Sequence, residues 1–224
     1  GRIEVYENFI LNCLTAAAPG QSTPNFTGPL FVYRNVVALL RDPPVSRAVG
    51  LNSWNGGGRF GYEYLFKQAG SGFSTANTHI YHNTLVMLNN AGKGINITPQ
   101  NPADTRCANN LMIMVNGIVN GAYRQAAGQV VDGNVYWKAG ATAAGALLGG
   151  YNTVPLFSAA TGLEAHGLGA TASRGTDPEF ATWRPAVVDR AQPVWALMPA
   201  AERALPYDFA LSAASPARGA GIVI

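Results

Sequence analysis

Ile80-Tyr81-His82-Asn83-Thr84-Leu85 decides the fold, because its pattern is written four times along the chain. The other copies are Val5-Tyr6-Glu7-Asn8-Phe9-Ile10, Val32-Tyr33-Arg34-Asn35-Val36-Val37 and Ile113-Met114-Val115-Asn116-Gly117-Ile118. Each sets a β-branched residue three places before an Asn and an aliphatic residue two places after it. The Asn residues stand 27, 48 and 33 positions apart, so the unit is constant while its connections vary, as in a solenoid. The unit reads as two short strands meeting at a bend, since Asn tolerates the left-handed backbone that a sharp bend requires. Val5, Val32, Ile80 and Ile113 then face inward on one strand, and Ile10, Val37, Leu85 and Ile118 on the next. No unit buries that face alone. Copies must stack ~4.8 Å apart, which lines up Asn8, Asn35, Asn83 and Asn116 as a ladder of mutually hydrogen-bonded amides.

The remaining sequence agrees with this reading. Hydrophobic residues make up 48% and charged residues 12% of the 224 positions, which excludes a disordered chain. The 26 Gly, 14 Pro and 18 Asn break the chain too often for a helix bundle, so helices should be minor. The longest bland apolar stretch, Ala141 to Gly150, is about half of the ~20 residues that cross a bilayer, and no membrane span is expected. The net charge of +3 comes from scattered Arg residues without a basic run, so no nucleic-acid partner is expected. That mild balance suits an acidic ligand such as a uronate polymer. Cys13 and Cys107 have no CxxC partner; they make neither a zinc site nor a disulfide framework, and leave one disulfide or two buried thiols open.

The repeat resembles the coils of the right-handed parallel β-helix proteins of the pectate-lyase-like superfamily, which read hydrophobic-Tyr-x-Asn-x-hydrophobic. Asp132-Gly133-Asn134-Val135-Tyr136-Trp137 resembles the Asp-x-Asn-hydrophobic-aromatic step near the end of such solenoids. Asp177-Pro178-Glu179-Phe180, Asp208-Phe209-Ala210-Leu211 and Ser215-Pro216-Ala217-Arg218-Gly219-Ala220-Gly221 resemble the closing coil. The expected fold is therefore all-β, a right-handed parallel β-helix with long loops and an irregular C-terminal closing region. Residues 1–137 are expected as coils, the Ala/Gly-rich residues 138–176 as a flap or short helix, and residues 177–224 as closing coil and cap. Such solenoids normally carry more coils and an N-terminal cap. Gly1-Arg2 running straight into Ile3-Glu4-Val5-Tyr6 therefore reads as the C-terminal part of a longer solenoid, with any export signal removed. Its N-terminal face should meet an upstream β-helix segment or a neighbouring subunit.

The candidate chemistry is sparser. Gly56-Gly57-Gly58-Arg59-Phe60-Gly61 fits G-x-G-x-x-G, but no βαβ pattern surrounds it, so it reads as a flexible loop. Trp54, Phe60, Tyr62 and Tyr64 flank it as candidate sugar-stacking residues, and Arg106 in a later loop is a further candidate for substrate binding. His79 and His82, three apart on a strand, point to opposite faces and make no metal pair, so the residues themselves predict no metal site. Aligning the repeats stacks Glu7, Arg34 and His82 in one column, where Arg34 can reach both neighbours and a structural pair with Glu7 is favoured. A lyase acting on a uronate polymer needs a cation to neutralise the carboxylate, a base for the C5 proton and an acid at the leaving oxygen. The resemblance implies Ca²⁺ or Arg for the first and often Lys or Arg for the second. Lys67, Arg59, His82 and Arg34 are accordingly the candidate catalytic residues. The Asp residues are scattered and none falls in a coil strand, which disfavours a hydrolase. The expected function is that of a secreted or cell-surface protein that binds an acidic polysaccharide, with lyase-type β-elimination as its reaction if it is an enzyme. The alternative is a structural β-helix within a fibre, adhesin or other extracellular assembly.

Overall fold

Short runs of β-branched and aromatic residues, broken by polar pairs, form strands in the computed structural model, and the ladders between the described strands are parallel. The structure describes residues 2–11, 15–17, 29–39, 63–67, 77–87, 92–96, 106–114, 128–138, 146–172, 174–180 and 209–223. The first sheet contains β1 (Ile3–Tyr6), β4 (Leu30–Tyr33), β7 (Thr78–Tyr81), β10 (Arg106–Ala108) and β12 (Val130–Asp132), hydrogen-bonded in that order. The second contains β2 (Phe9–Leu11), β5 (Val36–Leu39), β8 (Thr84–Met87), β11 (Leu111–Met114) and β13 (Val135–Lys138). A third contains β3 (Thr15–Ala17), β6 (Glu63–Lys67) and β9 (Gly92–Asn96). The chain visits the sheets in turn and returns one strand further along. This is a parallel β-helix.

Register explains the core. Val5, Val32, Ile80, Cys107 and Val131 align across the first sheet, and Ile10, Val37, Leu85, Met112 and Tyr136 across the second. These two inward columns pack together as one apolar cluster, in which Ile80, Leu85, Cys107 and Met112 are wholly buried. The second sheet is buried on its outer side as well. Ala38, Val86, Ile113 and Trp137 are covered there by Phe180 and Phe209 of the closing region, which an isolated bridge between Phe180 and Leu211 holds together. The outer face of the first sheet is left exposed at Tyr6, Arg106 and Val130.

The bends show how the sequence turns the corner. Glu7, Arg34, His82, Asn109 and Gly133 have φ of 54°, 54°, 56°, 57° and 67°. The left-handed residue is therefore the one before the ladder Asn, not the Asn itself. Each non-glycine residue held there costs roughly 1–2 kcal/mol, which the ladder must offset. It does so by repeated pairing. The backbone N–H and Nδ2 of Asn8 donate to Asn35 Oδ1 at 3.2 and 2.9 Å, those of Asn35 to Asn83 Oδ1 at 3.1 and 2.9 Å, and those of Asn83 to Asn110 Oδ1 at 3.1 and 2.9 Å. Asn110 then donates to Asn134 Oδ1 at 2.8 and 3.0 Å.

The fourth rung corrects the sequence register. It is Asn110, while Asn116 lies outside the described residues. Cys107-Ala108-Asn109-Asn110-Leu111-Met112 is the actual unit, so Ile113 sits on β11, facing outward into the cluster under Phe180, rather than inward on the strand before the bend. Asn109 supplies the left-handed residue and Asn110 the rung, a division of labour that one Asn could not perform.

The ladder ends on a carboxylate. Glu164 takes the next position, accepting from Asn134 Nδ2 at 2.6 Å, from the Asn134 backbone N–H at 3.2 Å and from the Tyr136 hydroxyl at 2.5 Å. Its segment lies on the last coil, with Leu168 bridged in parallel to Val135. Helix α1 (Val154–Thr161) leads into it. Thr153 caps that helix by accepting from Leu156 N–H, and Gly162 ends it with φ 73°.

Candidate functional site

With the second sheet covered, the outer face of the first sheet offers an external ligand regular strands whose side chains are described. Alternation puts two columns on it. One runs Glu4, Phe31, His79, Arg106, Val130 and the other Tyr6, Tyr33, Tyr81, Ala108, Asp132. The Tyr6, Tyr33 and Tyr81 rings stack with centroids 5.1 and 5.2 Å apart and planes within 5°. Phe31 and His79 stack at 4.8 Å, and the Arg2 guanidinium lies 4.7 Å over Phe31. Arg2 also pairs with Glu4, whose other oxygen accepts from the Tyr33 hydroxyl at 3.1 Å. Desolvation and that hydrogen bond raise the Tyr33 pKa, so its hydroxyl stays protonated. Arg106 is exposed and makes no ion pair among the described residues.

At the far end of the tyrosine column, Asp132 meets His166. Asp132 Oδ2 lies 2.7 Å from His166 Nδ1, and Oδ1 accepts from the backbone N–H of His166 at 2.7 Å and of Gly133 at 2.8 Å. Burial pushes Asp132 up, but these hydrogen bonds outweigh it and hold the carboxylate below its usual range. The same hydrogen bond, with the charge behind it, raises the His166 pKa above 6.5. An ionised carboxylate only accepts, so neutral His166 carries its proton on Nδ1 and turns a basic Nε2 away from Asp132. The His166 side chain is 67% exposed.

The residues singled out in the sequence are spread over different walls. Arg34 and His82 do stack at the corner between the first and second sheets, where Arg34 Nη1 pairs with Glu7 at 3.3 Å. Partial burial, then the Arg34 charge, lowers the His82 pKa, so this imidazole is neutral. It borders an open cavity of about 330 Å³, lined also by Leu211 and Gly219 of the C-terminal region. Lys67 and Tyr64 lie on β6 of the third sheet, a wall away from that corner. Arg59, Trp54, Phe60 and Tyr62 lie outside the described residues, as does Cys13. Of the predicted binding residues, Arg106 stands on the exposed face.

Sequence reasoning passed over Tyr6, Tyr33 and Tyr81 as site residues although their recurrence was in plain view. It had no signal at all for His166, which lies outside the repeat. Among the described residues no group of three His, Cys, Asp or Glu side chains converges on one point, so the Ca²⁺ implied by the family resemblance has no fitting ligand set there. No family model, curated protein or solved structure matches the chain.

Proposed function

We propose that this protein binds a linear acidic polysaccharide along the outer face of the first sheet. The observation that carries the reading is the pair of parallel columns on that face, in which Tyr33, Tyr81, Phe31 and His79 are half-buried and Tyr6 and Arg106 are exposed. Five strands at ~4.8 Å make a straight track about 19 Å long, which suits a ligand that repeats along one axis. Because the tyrosine rings face one another, they present edges and hydroxyls, groups that hydrogen-bond to sugar hydroxyls, while Arg106, which makes no ion pair among the described residues, offers a cation for a uronate carboxylate. The closing motifs and the repeat support membership of the pectate-lyase-like superfamily, and an acidic glycan as ligand supports a secreted or cell-surface location. Affinity electrophoresis through gels containing pectate, alginate or hyaluronan tests the reading. Retardation in one of them, weakened in Arg106→Ala, is expected; unretarded migration in all three, with a blank glycan array, refutes it.

A specific observation favours a second reading, assembly with another β-solenoid. Ile3, Tyr6 and Phe9 of the first coil are 44%, 48% and 46% exposed, and among the described residues nothing donates to Asn8 Oδ1. That edge is a template for a further parallel coil. Sedimentation separates the readings: a monomer at all concentrations argues against assembly.

A further inference from the structure

We propose that residues 164–168 form a detachable terminal coil, whose hold on the solenoid is set by whether Glu164 and His166 carry a proton. Backbone geometry makes this segment a sixth coil. Leu168 N–H donates to Asn134 O at 2.8 Å, the same bond that Val135 makes to Asn110 O and Leu111 to Asn83 O. Tyr136 N–H in turn donates to Leu168 O at 2.9 Å, and Glu164 N–H to Val131 O at 2.7 Å. Gly167 therefore stands where each earlier coil has its ladder Asn. It has no side chain to offer, and a Cβ there would lie 2.5 Å from Glu164 Oε2. The Glu164 carboxyl fills that space from three residues earlier and takes the two N–H bonds of Asn134. The rung that closes the ladder is thus ionisable, where Asn8, Asn35, Asn83, Asn110 and Asn134 are not. His166, in the place before that rung, holds Asp132 through Nδ1 and through its backbone N–H, each at 2.7 Å.

The two groups act in the same direction. Around Glu164 stand Tyr136 of β13, Asp132 of β12 and, two residues on in its own segment, His166. Helix α1, whose Val154 packs close to Gly167, carries no ionisable side chain. His166 faces Asp132. Burial raises the Glu164 carboxyl from 4.5 to about 7, so its contribution is complete below 4.5 and is lost as the pH rises through about 7. The hydrogen bond and charge of Asp132 raise His166, so the ion pair contributes below 6.5 and is lost as the pH rises through the raised value. Asp132 is held low and loses its part only as the pH falls through a value below 3.8. The segment is therefore gripped in mildly acidic solution and loosens in mildly alkaline solution. Opening uncovers the two N–H donors of Asn134 and the carbonyls of Asn134 and Val131, a strand edge free to pair.

Native-state hydrogen exchange on the whole chain tests this, with protection factors corrected for the intrinsic effect of pH on exchange. The amides of Glu164, His166 and Leu168 should be less protected than those of residues 77–87, both near pH 5 and near pH 8.5, because the coil opens while the rest stays folded. Their protection should fall roughly 50- to 100-fold between these values from Glu164 alone, given its change from about 7 when held to 4.5 when released. Glu164→Gln should remove most of that fall and the double variant with His166→Gln the remainder, whereas a merely structural role would lower protection equally at both pH values. Protection equal to that of residues 77–87 at both values overturns the proposal, since the segment would then leave only with global unfolding. An undiminished fall in the double variant overturns it as well. Should Glu164→Gln not fold, carbon NMR of the Glu164 carboxyl in the wild type decides: a midpoint near 7 supports the proposal and one near 4.5 overturns it.

Discussion

Replacing Glu164 by Gln should change the sign of its effect on stability between mildly acidic and mildly alkaline solution. Burial pushes this carboxyl from 4.5 up to about 7, against hydrogen bonds from Tyr136 and Asn134 that favour the charged form. A group raised in the folded state contributes its full stability below its unfolded pKa, here 4.5, and loses it as the pH climbs through about 7. The loss amounts to about 3 kcal/mol. Gln carries no charge to desolvate and escapes that loss. It offers one acceptor atom where Glu offers two, however. Its oxygen can keep Tyr136 Oη and Asn134 Nδ2, but its NH₂ then faces the Asn134 backbone N–H, a wholly buried donor left unpaired. That costs about 1–3 kcal/mol at any pH. Glu164→Gln should therefore be less stable than wild type by about 1–3 kcal/mol near pH 5, and as stable or more so, by up to about 2 kcal/mol, near pH 8. Urea melts of both proteins at the two pH values measure this, and the difference between proteins cancels titrations elsewhere. A gap that is the same at both pH values would refute the reasoning, because it would mean that Glu164 titrates alike in the folded and unfolded states.

Three further outcomes are expected. Asn83→Ala removes a rung that accepts from Asn35 and donates to Val32 O, Tyr81 O and Asn110 Oδ1, so urea melts should show a loss of about 3 kcal/mol or more, against well under 1 kcal/mol for Asn8→Ala at the exposed end. Arg34→Gly should stabilise by up to about 1 kcal/mol in the same assay, since φ of 54° suits glycine and the exposed Arg34–Glu7 pair contributes little. Gly175→Ala should destabilise the chain by about 2 kcal/mol or more, with a lowered Tm in calorimetry, because a Cβ there would meet Tyr136 O at 2.0 Å on a backbone with φ of 79°.

The solenoid was legible because its core and its ladder obey one short repeat. Val32, Ile80, Val37 and Leu85 face inward as their spacing requires. The register slipped once, where two Asn residues stand together. Asn109 and Asn110 split between them a turn and a rung that a single Asn had been asked to supply, and the similar spacing around Asn116 drew the alignment past them. The candidate site was harder to read for a different reason. A tyrosine repeated in three coils is equally a packing device and a ligand track, and only the covering of the other sheet by Phe180 and Phe209 distinguishes the open face. His166 and Glu164 belong to a segment without periodicity, so their meeting with Asp132 and Asn134 depends on how residues 146–172 fold back, which no local pattern encodes.

The asparagine ladder also has a direction. Each side-chain amide gives an N–H to the next rung, and from Asn35 onward each also receives from the rung before, so the amide dipoles of Asn8, Asn35, Asn83, Asn110 and Asn134 point the same way, positive end toward Glu164. Hydrogen bonds in such a row polarise one another. The row thus behaves as a short conductor of electrostatic information with an ionisable group soldered to one terminal. Whatever loosens a distant rung weakens the field at the carboxylate, and the protonation of this single buried side chain becomes a gauge, readable by NMR, of whether the whole stack is intact.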